Sequence, residues 1–167
     1  MMETIRPVIA QDIMAVCALF NFYVQNTTHT FALETSTEAE ALEKMQRIVA
    51  DYPFLVAVQD GQLLGYAHLN RYRSRAAYNH VAETSIYIQP SHQGHGIGTR
   101  LYKALLDQAP QHQVFEVIGV IALPNEASER MHQNLGFHKV GVFPRMGYKF
   151  NKWIDTAYWQ LSLTHPS

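Results

Sequence analysis

Three glycines at every second position, Gly94, Gly96 and Gly98, stand in "IYIQPSHQGHGIGTRLY", between an apolar alternating run and an amphipathic one. A helix starting there leaves about four backbone N–H groups without partners and carries a partial positive charge at that end. Glycines just before it let an anion come close to the main chain, so the chemistry this turn suits is phosphate binding. A Walker loop would need Gly-Lys-Ser/Thr, whereas Gly98 is followed by Thr99 and Arg100. A dinucleotide fingerprint read from Gly94 finds Thr99 where its third glycine belongs, and the turn does not open a βαβ unit. A second cluster is cationic: Arg71, Arg73 and Arg75 in "NRYRSRAAY". Alternate residues of a strand share a face, so these three are expected to line one side, where guanidinium groups take a carboxylate or phosphinate bidentately. That pattern favours a ligand with anionic groups over polyamines or aminoglycosides, which want acidic pockets. Nine histidines raise the question of a metal. His92 and His95 are close but have no Cys or paired carboxylates to join them, and His132 and His138 straddle a helix end, so no metal site is expected.

The elements that must position these residues follow from hydrophobic period and turn chemistry. "TIRPVI" reads as a strand, and Asp12 as the cap of a helix running to about Tyr23. "TEAE" from Thr37 is a capping box that opens a second helix. "FLVAV", Asp60-Gly61 and "QLLGYAHLNRY" form a hairpin, with "VAETSIYI" as the next strand of the meander. A helix follows the glycines from about Gly96 to Gln108; "VFEVIGVIA" is a strand covered on both faces. "NEASERMHQNLGF" is a helix with Asn125 as N-cap and Gly136 as its stop. Two final strands are expected near "KVGVF" and "TAYWQLSL". The order β-α-α-β-β-β-α-β-α-β-β predicts an α+β domain: a mixed sheet flanked by helices, with one parallel β-α-β crossover.

Length and composition bound the function. The chain has 167 residues, which suits a single domain over 1–167, and 47% hydrophobic residues supply a core. A net charge of −1 argues against a general affinity for nucleic acid or anionic membrane. No apolar run is long enough to cross a bilayer, and the start lacks the pattern of a secretory signal. The single cysteine, Cys17, lies on an apolar helix face and reads as a packing residue. These points together predict a cytoplasmic protein.

The pattern Q-x-x-G-x-G, Gln93 to Gly98, resembles the acetyl-CoA pyrophosphate turn of the GNAT N-acetyltransferase superfamily, and the inferred element order is that family's. The blocks "TFALE", "RSRAAY", "AETSIYI", "SHQGHGIGTRLY", "PNEASERMHQNLGF" and "GYKFNKWIDTAYWQL" resemble its phosphinothricin and methionine sulfoximine acetyltransferase branch. The resemblance implies a central sheet that splays open, with the pantetheine arm of acetyl-CoA bonded to backbone groups at Ile86, Tyr87 and Ile88. It implies phosphate contacts from Gln93, Gly94, His95, Gly96, Ile97, Gly98 and Thr99, with Asn125 and Ser128 as further cofactor contacts. Acetyl transfer needs a neutral amine, so a base must take a proton; Glu83 is the candidate, as the resemblance also implies. His132, four residues after Ser128 and on the same helix face, is implied as a second base or a proton relay. Many family members use a tyrosine on that helix as the acid, where this chain has Met131 and His132. A backbone N–H near Tyr87 is expected to polarise the thioester carbonyl. Arg73 and Arg75 match the branch's substrate segment, with Tyr78 close by, Phe31 as an apolar wall and Glu83 also facing the substrate; Gly147, Tyr148 and Trp153 match its late block, with packing or wall roles. The family's arginine loop can reach across a dimer interface, so a homodimer is implied. The expected activity is acetylation of the α-amino group of a small amino acid or analogue. The alternatives are a non-catalytic acyl-CoA sensor of the same fold, or an acetyltransferase for protein N-termini or lysines.

Overall fold

The meander begins where its turn chemistry puts it. In the structure of this protein, a computed structural model that describes residues 3–164, Asp60 and Gly61 take positive φ angles of 52° and 77°. They join β2 (Phe54–Gln59) to β3 (Gln62–Arg71). With β1 (Thr4–Pro7), β4 (Val81–Ile88), β5 (Glu116–Ala122), β6 (His138–Lys149) and β7 (Lys152–Ser162), they form one sheet in the order β1-β2-β3-β4-β5-β7-β6. All neighbours are antiparallel except β4 and β5. The helices are α1 (Ile13–Asn26), α2 (Glu38–Val49), α3 (Ile97–Gln108) and α4 (Glu126–Asn134).

The period-2 pattern of the meander sorts the core into two layers. Leu55, Ala57, Ala67 and Leu69 face α3, packed with Leu101, Tyr102 and Leu105 and with Phe137 just past α4. Phe54, Val56 and Tyr66 face the other way, onto Val16, Leu19 and Tyr23 of α1 and Met45 and Ile48 of α2. Cys17 is buried within the described residues, in keeping with a packing role.

Three local expectations are corrected. Asp12 occupies the N-cap position of α1 but does not cap it: its carboxylate accepts from the Ile9 N–H (2.8 Å) and pairs with Arg6 at 2.8 and 3.0 Å. The guanidinium offers a charge-assisted bond that outcompetes a helix amide. The last two strands are longer than expected and meet in a tight hairpin at Phe150 and Asn151, both at positive φ without a glycine (53° and 58°). The third concerns the arginines: β3 ends at Arg71, so Arg73 and Arg75 lie in an exposed loop rather than on a strand face. Arg73 stacks over Tyr72, 5.2 Å from the ring centroid, and near Tyr78 at 6.0 Å.

Candidate active site

The sheet opens between its two parallel strands. β4 and β5 pair only at Val81↔Glu116, Ala82↔Val117 and Glu83↔Ile118; beyond that apex the register ends. Past Glu83, the remaining residues of β4 are bonded on one side only, to β3. Gln89 N donates to Leu64 O, which fixes the phase of that ladder. Tyr87 therefore exchanges bonds with Tyr66, while Ile86 and Ile88 turn their peptide groups to the free side. This corrects the expectation for Tyr87: its N–H points into the sheet, and the main-chain groups facing the gap are those of Ile86 and Ile88. The Ile88 carbonyl accepts from the Tyr23 hydroxyl at 2.5 Å, and that hydroxyl accepts from Gln93 Nε2 at 2.9 Å.

The gap holds a cavity of about 460 Å³. From the α1–α2 face it is lined by Phe20, Lys44, Glu83 and Tyr87, and by Thr30 and Phe31 of the loop after α1. From the α3–α4 face it is lined by Thr84, Ile86, Ser128 and His132. Glu83 is the one carboxylate among the described residues of this lining, and desolvation by burial raises its pKa above the ordinary value. The hairpin of β6 and β7 holds the loop in place: Lys149 donates to Thr30 O at 2.9 Å, and a Cβ on Gly147 would lie 2.5 Å from the Phe31 ring. Gly147 thus has the packing role expected of it.

His132 is 3% exposed. Burial lowers its pKa, so the imidazole is neutral. Its Nδ1 lies 2.8 Å from Ser128 O, a pure acceptor, so Nδ1 carries the proton and Nε2 accepts. The donor is the Tyr102 hydroxyl at 2.9 Å, which in turn accepts a hydrogen bond from the Thr84 hydroxyl at 2.6 Å. Thr84, Tyr102 and His132 form a hydrogen-bonded chain that reaches the cavity at both ends. Sequence reasoning missed Thr84 and Tyr102, because Tyr102 reads as one more apolar position of α3.

A second hollow, about 330 Å³, lies over the glycine turn and shares His29, Ile86, Asn125 and Ser128 with the first. Ile88, Gln93, Gly94, Gly96, Ile97, Gly98 and Thr99 line it. Gly94 and Gly96 are left-handed at φ 79°, a conformation open to glycine at no steric cost. Gly96 is the N-cap of α3, and the first helical bond is Arg100 N to Gly96 O at 3.1 Å. The N–H groups of Ile97, Gly98 and Thr99 therefore have no acceptor within the helix. His95 does not line the hollow; its Nδ1 lies 3.3 Å from His92 O. Asn125 caps α4, its Oδ1 accepting from Ser128 N at 3.2 Å, as its sequence position predicts.

Tyr78, Arg73 and Arg75 line neither hollow. Among the described residues, no group of three or more His, Cys, Asp or Glu side chains is placed to hold a metal, and no helix is long and apolar enough to cross a membrane.

Comparison with known proteins bears on what this arrangement does. A family model described as the acetyltransferase (GNAT) family matches residues 17–137. The chain is 35% identical over 163 residues to a phosphinothricin N-acetyltransferase of Streptomyces viridochromogenes, covering 98% of this chain and 89% of that protein. It is 32% identical over 161 residues to an L-methionine sulfoximine/L-methionine sulfone acetyltransferase of Salmonella typhimurium, covering 96% of this chain and 94% of the other. The solved structure of a GNAT superfamily phosphinothricin acetyltransferase from Sinorhizobium meliloti, in complex with acetyl-CoA, superposes with a TM-score of 0.94 at 31% identity, covering 100% of this chain and 94% of that one.

Proposed function

The chain belongs to the acetyltransferase (GNAT) family, and we propose from that premise that it acetylates the α-amino group of a small amino acid or analogue, of the methionine sulfoximine, methionine sulfone or phosphinothricin type, with acetyl-CoA as donor. One observation carries the reading: the break in pairing after Glu83↔Ile118 joins the hollow over bare helix amides to a cavity with one half-buried carboxylate. The residues fit the donor. The free N–H groups of Ile97, Gly98 and Thr99 at a positive helix end suit a diphosphate, and the unpaired edge at Ile86 suits an extended amide-bearing arm. Bound there, acetyl-CoA supplies an acetyl thioester.

This chain's own residues do the rest. Glu83 takes a proton from the acceptor's ammonium, and the freed amine forms the new N–C bond as the C–S bond breaks. The Ile86 N–H, turned to the gap, polarises the carbonyl. His132 has both ring nitrogens engaged, so it serves as a relay: the nitrogen sheds its second proton as the N–C bond forms, Thr84 Oγ1 takes that proton while Thr84 and Tyr102 each pass their own along the chain to His132 Nε2, and His132 gives its Nδ1 proton to the departing sulfur.

We further propose a homodimer of single-domain subunits. Val140, Phe143, Met146, Tyr148, Phe150 and Trp153 are exposed apolar side chains concentrated along the β6–β7 hairpin, where a partner subunit could cover them. A dimer offers a place for Arg73 and Arg75, which stay outside their own chain's cavity, to meet the acceptor. Sedimentation at micromolar concentration should return twice the mass of 19.1 kDa. We propose a cytoplasmic location as well, which would give the protein acetyl-CoA as its donor.

The test of the activity is thiol release with acetyl-CoA and a panel of α-amino acids that includes methionine sulfone. Turnover on at least one of them is expected. Tight acetyl-CoA binding with no turnover would make the protein a sensor. Turnover on peptides alone would make it a protein acetyltransferase.

A further inference from the structure

We infer that Lys44 is the residue that binds the α-carboxylate of the acceptor and so restricts the enzyme to amino acids over simple amines; this rests on the activity proposed above. Lys44 is the one ammonium or guanidinium among the described residues lining the cavity that holds Glu83. It stands on α2, the third residue of the helix's second turn, with its Nζ 5.4 Å from the centroid of Phe20, another wall of the same cavity. The ring's quadrupole attracts the cation without neutralising it.

No carboxylate of this chain claims that charge among the described residues. The natural partner on a helix lies three or four residues away. Glu40, at that distance, is turned back to the Thr37 N–H at 2.9 Å in the capping box of α2. Glu43 pairs with Arg47 at 3.9 Å. The other ion pairs among the described residues join Arg6 to Asp12, Arg100 to Glu3 and Lys139 to Glu129. Although the side chain as a whole is exposed, protein packed about its ammonium lowers the Lys44 pKa by desolvation, and Arg47 adds repulsion. A cation left unpaired in that setting gains from an anionic partner more than a free surface lysine would.

The two charges of the cavity are also unpaired with each other. Desolvation alone raises the Glu83 pKa, with no contribution from Lys44. One anion and one cation therefore face a common space without a bond between them. A zwitterion fits that pattern: its ammonium goes to Glu83, where the proton must leave, and its carboxylate to Lys44. The α-carboxylate is the anionic group that methionine sulfone and phosphinothricin have in common, and it adjoins the reacting amine. Arg73 and Arg75, outside this cavity, are left for whatever lies at the far end of the acceptor.

The experiment compares wild type with Lys44→Gln, using methionine sulfone and its carboxamide as acceptors. A hydrogen bond to a charged group lost from a partly desolvated site raises the methionine sulfone KM by about ten- to a hundredfold. The acetyl-CoA KM should hold, and the carboxamide, which has no carboxylate to lose, should react equally well with both proteins. Lys44→Arg should recover most of the loss, which a merely structural role for the lysine stem would not explain. A methionine sulfone KM in Lys44→Gln within twofold of wild type overturns the inference, as does an equal loss on the carboxamide. A wild-type protein that acetylates no amino acid fails at the activity itself, so the two failures are distinguishable.

Discussion

Glu83→Gln separates the chemistry of this site from its architecture. Glu83 stands at the last paired position of β4 with β5, half-buried, and is the one carboxylate of the described cavity lining. Gln keeps the shape and loses the proton acceptor. A positioned general base contributes roughly 10²- to 10⁴-fold, which at 1.36 kcal/mol per decade is about 3–5 kcal/mol of barrier. Because no second carboxylate lines the cavity among the described residues, kcat should fall within that range. Stability should move the other way. Burial raises the folded-state pKa of Glu83 above its unfolded value, so the charged form costs stability above the folded pKa, and the cost vanishes as pH falls through it. At pH 7 the variant should melt at or above the wild-type temperature, and the difference should close under acid conditions. The acid limb of the wild-type rate profile should lie above an ordinary carboxylate's pKa and be absent from the variant. Thiol release, calorimetry with acetyl-CoA and thermal melts at two pH values read all of this. Turnover within threefold of wild type would remove Glu83 as the base, and a melting temperature several degrees lower would refute the claim that its carboxylate is unpaired.

Three other substitutions probe the remaining parts. Tyr102→Phe leaves His132 Nε2 and Thr84 Oγ1 without their partner, which should destabilise the fold by about 1–3 kcal/mol. It should also lower kcat more than it changes either KM, and an unchanged kcat would end the relay assignment. Gly119→Ala places a Cβ 2.5 Å from His132 Nε2, on a ring too enclosed to retreat; overpacking of this kind costs about 1–3 kcal/mol. Its kcat loss should not add to that of Tyr102→Phe, since both disable one chain; full additivity would show the two act separately. Gly96→Ala forces a side chain into the left-handed region at φ 79° and toward Arg100 Nη1 at 2.7 Å. The backbone term is about 1–2 kcal/mol, so the acetyl-CoA Kd should rise about tenfold while the acceptor KM at saturating donor holds. An unaltered Kd would show that the turn is not the diphosphate site.

What was legible in the sequence is what local chemistry decides. Asp60-Gly61, the Thr37–Glu40 box and the Asn125 cap each read true because the signal and the geometry lie within four residues. The start of α3 at the glycine turn read true for the same reason. The Phe150–Asn151 turn was opaque, since two non-glycine residues adopt positive φ there under the constraint of a long hairpin. Tyr102 was opaque because its hydroxyl meets groups 18 and 30 residues away. Nothing local to "EALEKMQRIV" singles out Lys44, and only the closing of α1 and α2 over the gap gives its charge an address. The arginines were misplaced because alternation was carried past Arg71, where the strand stops.

The order of strands explains why these parts had to meet where they do. A parallel partner for β4 can only arrive through a crossover, and α3 is that crossover. The same helix therefore supplies bare amides at its start and Tyr102 further along, on the face of the sheet where α4 carries His132. Once β5 parts from β4 after three residues, the edge left bare begins one residue past Glu83. The carboxylate is thus fixed at the apex of a gap whose mouth lies at the glycine turn. A ligand held by its phosphates at the mouth and paired along Ile86 must present its far end toward Glu83. Gly119, just past the apex on the opposite strand, is bare for a matching reason, because the space its Cβ would fill is taken by the imidazole of His132. The position of the base is a consequence of sheet pairing, and that of the relay is a consequence of the crossover. A change in the length of pairing between β4 and β5 would therefore displace both from the reacting atoms at once.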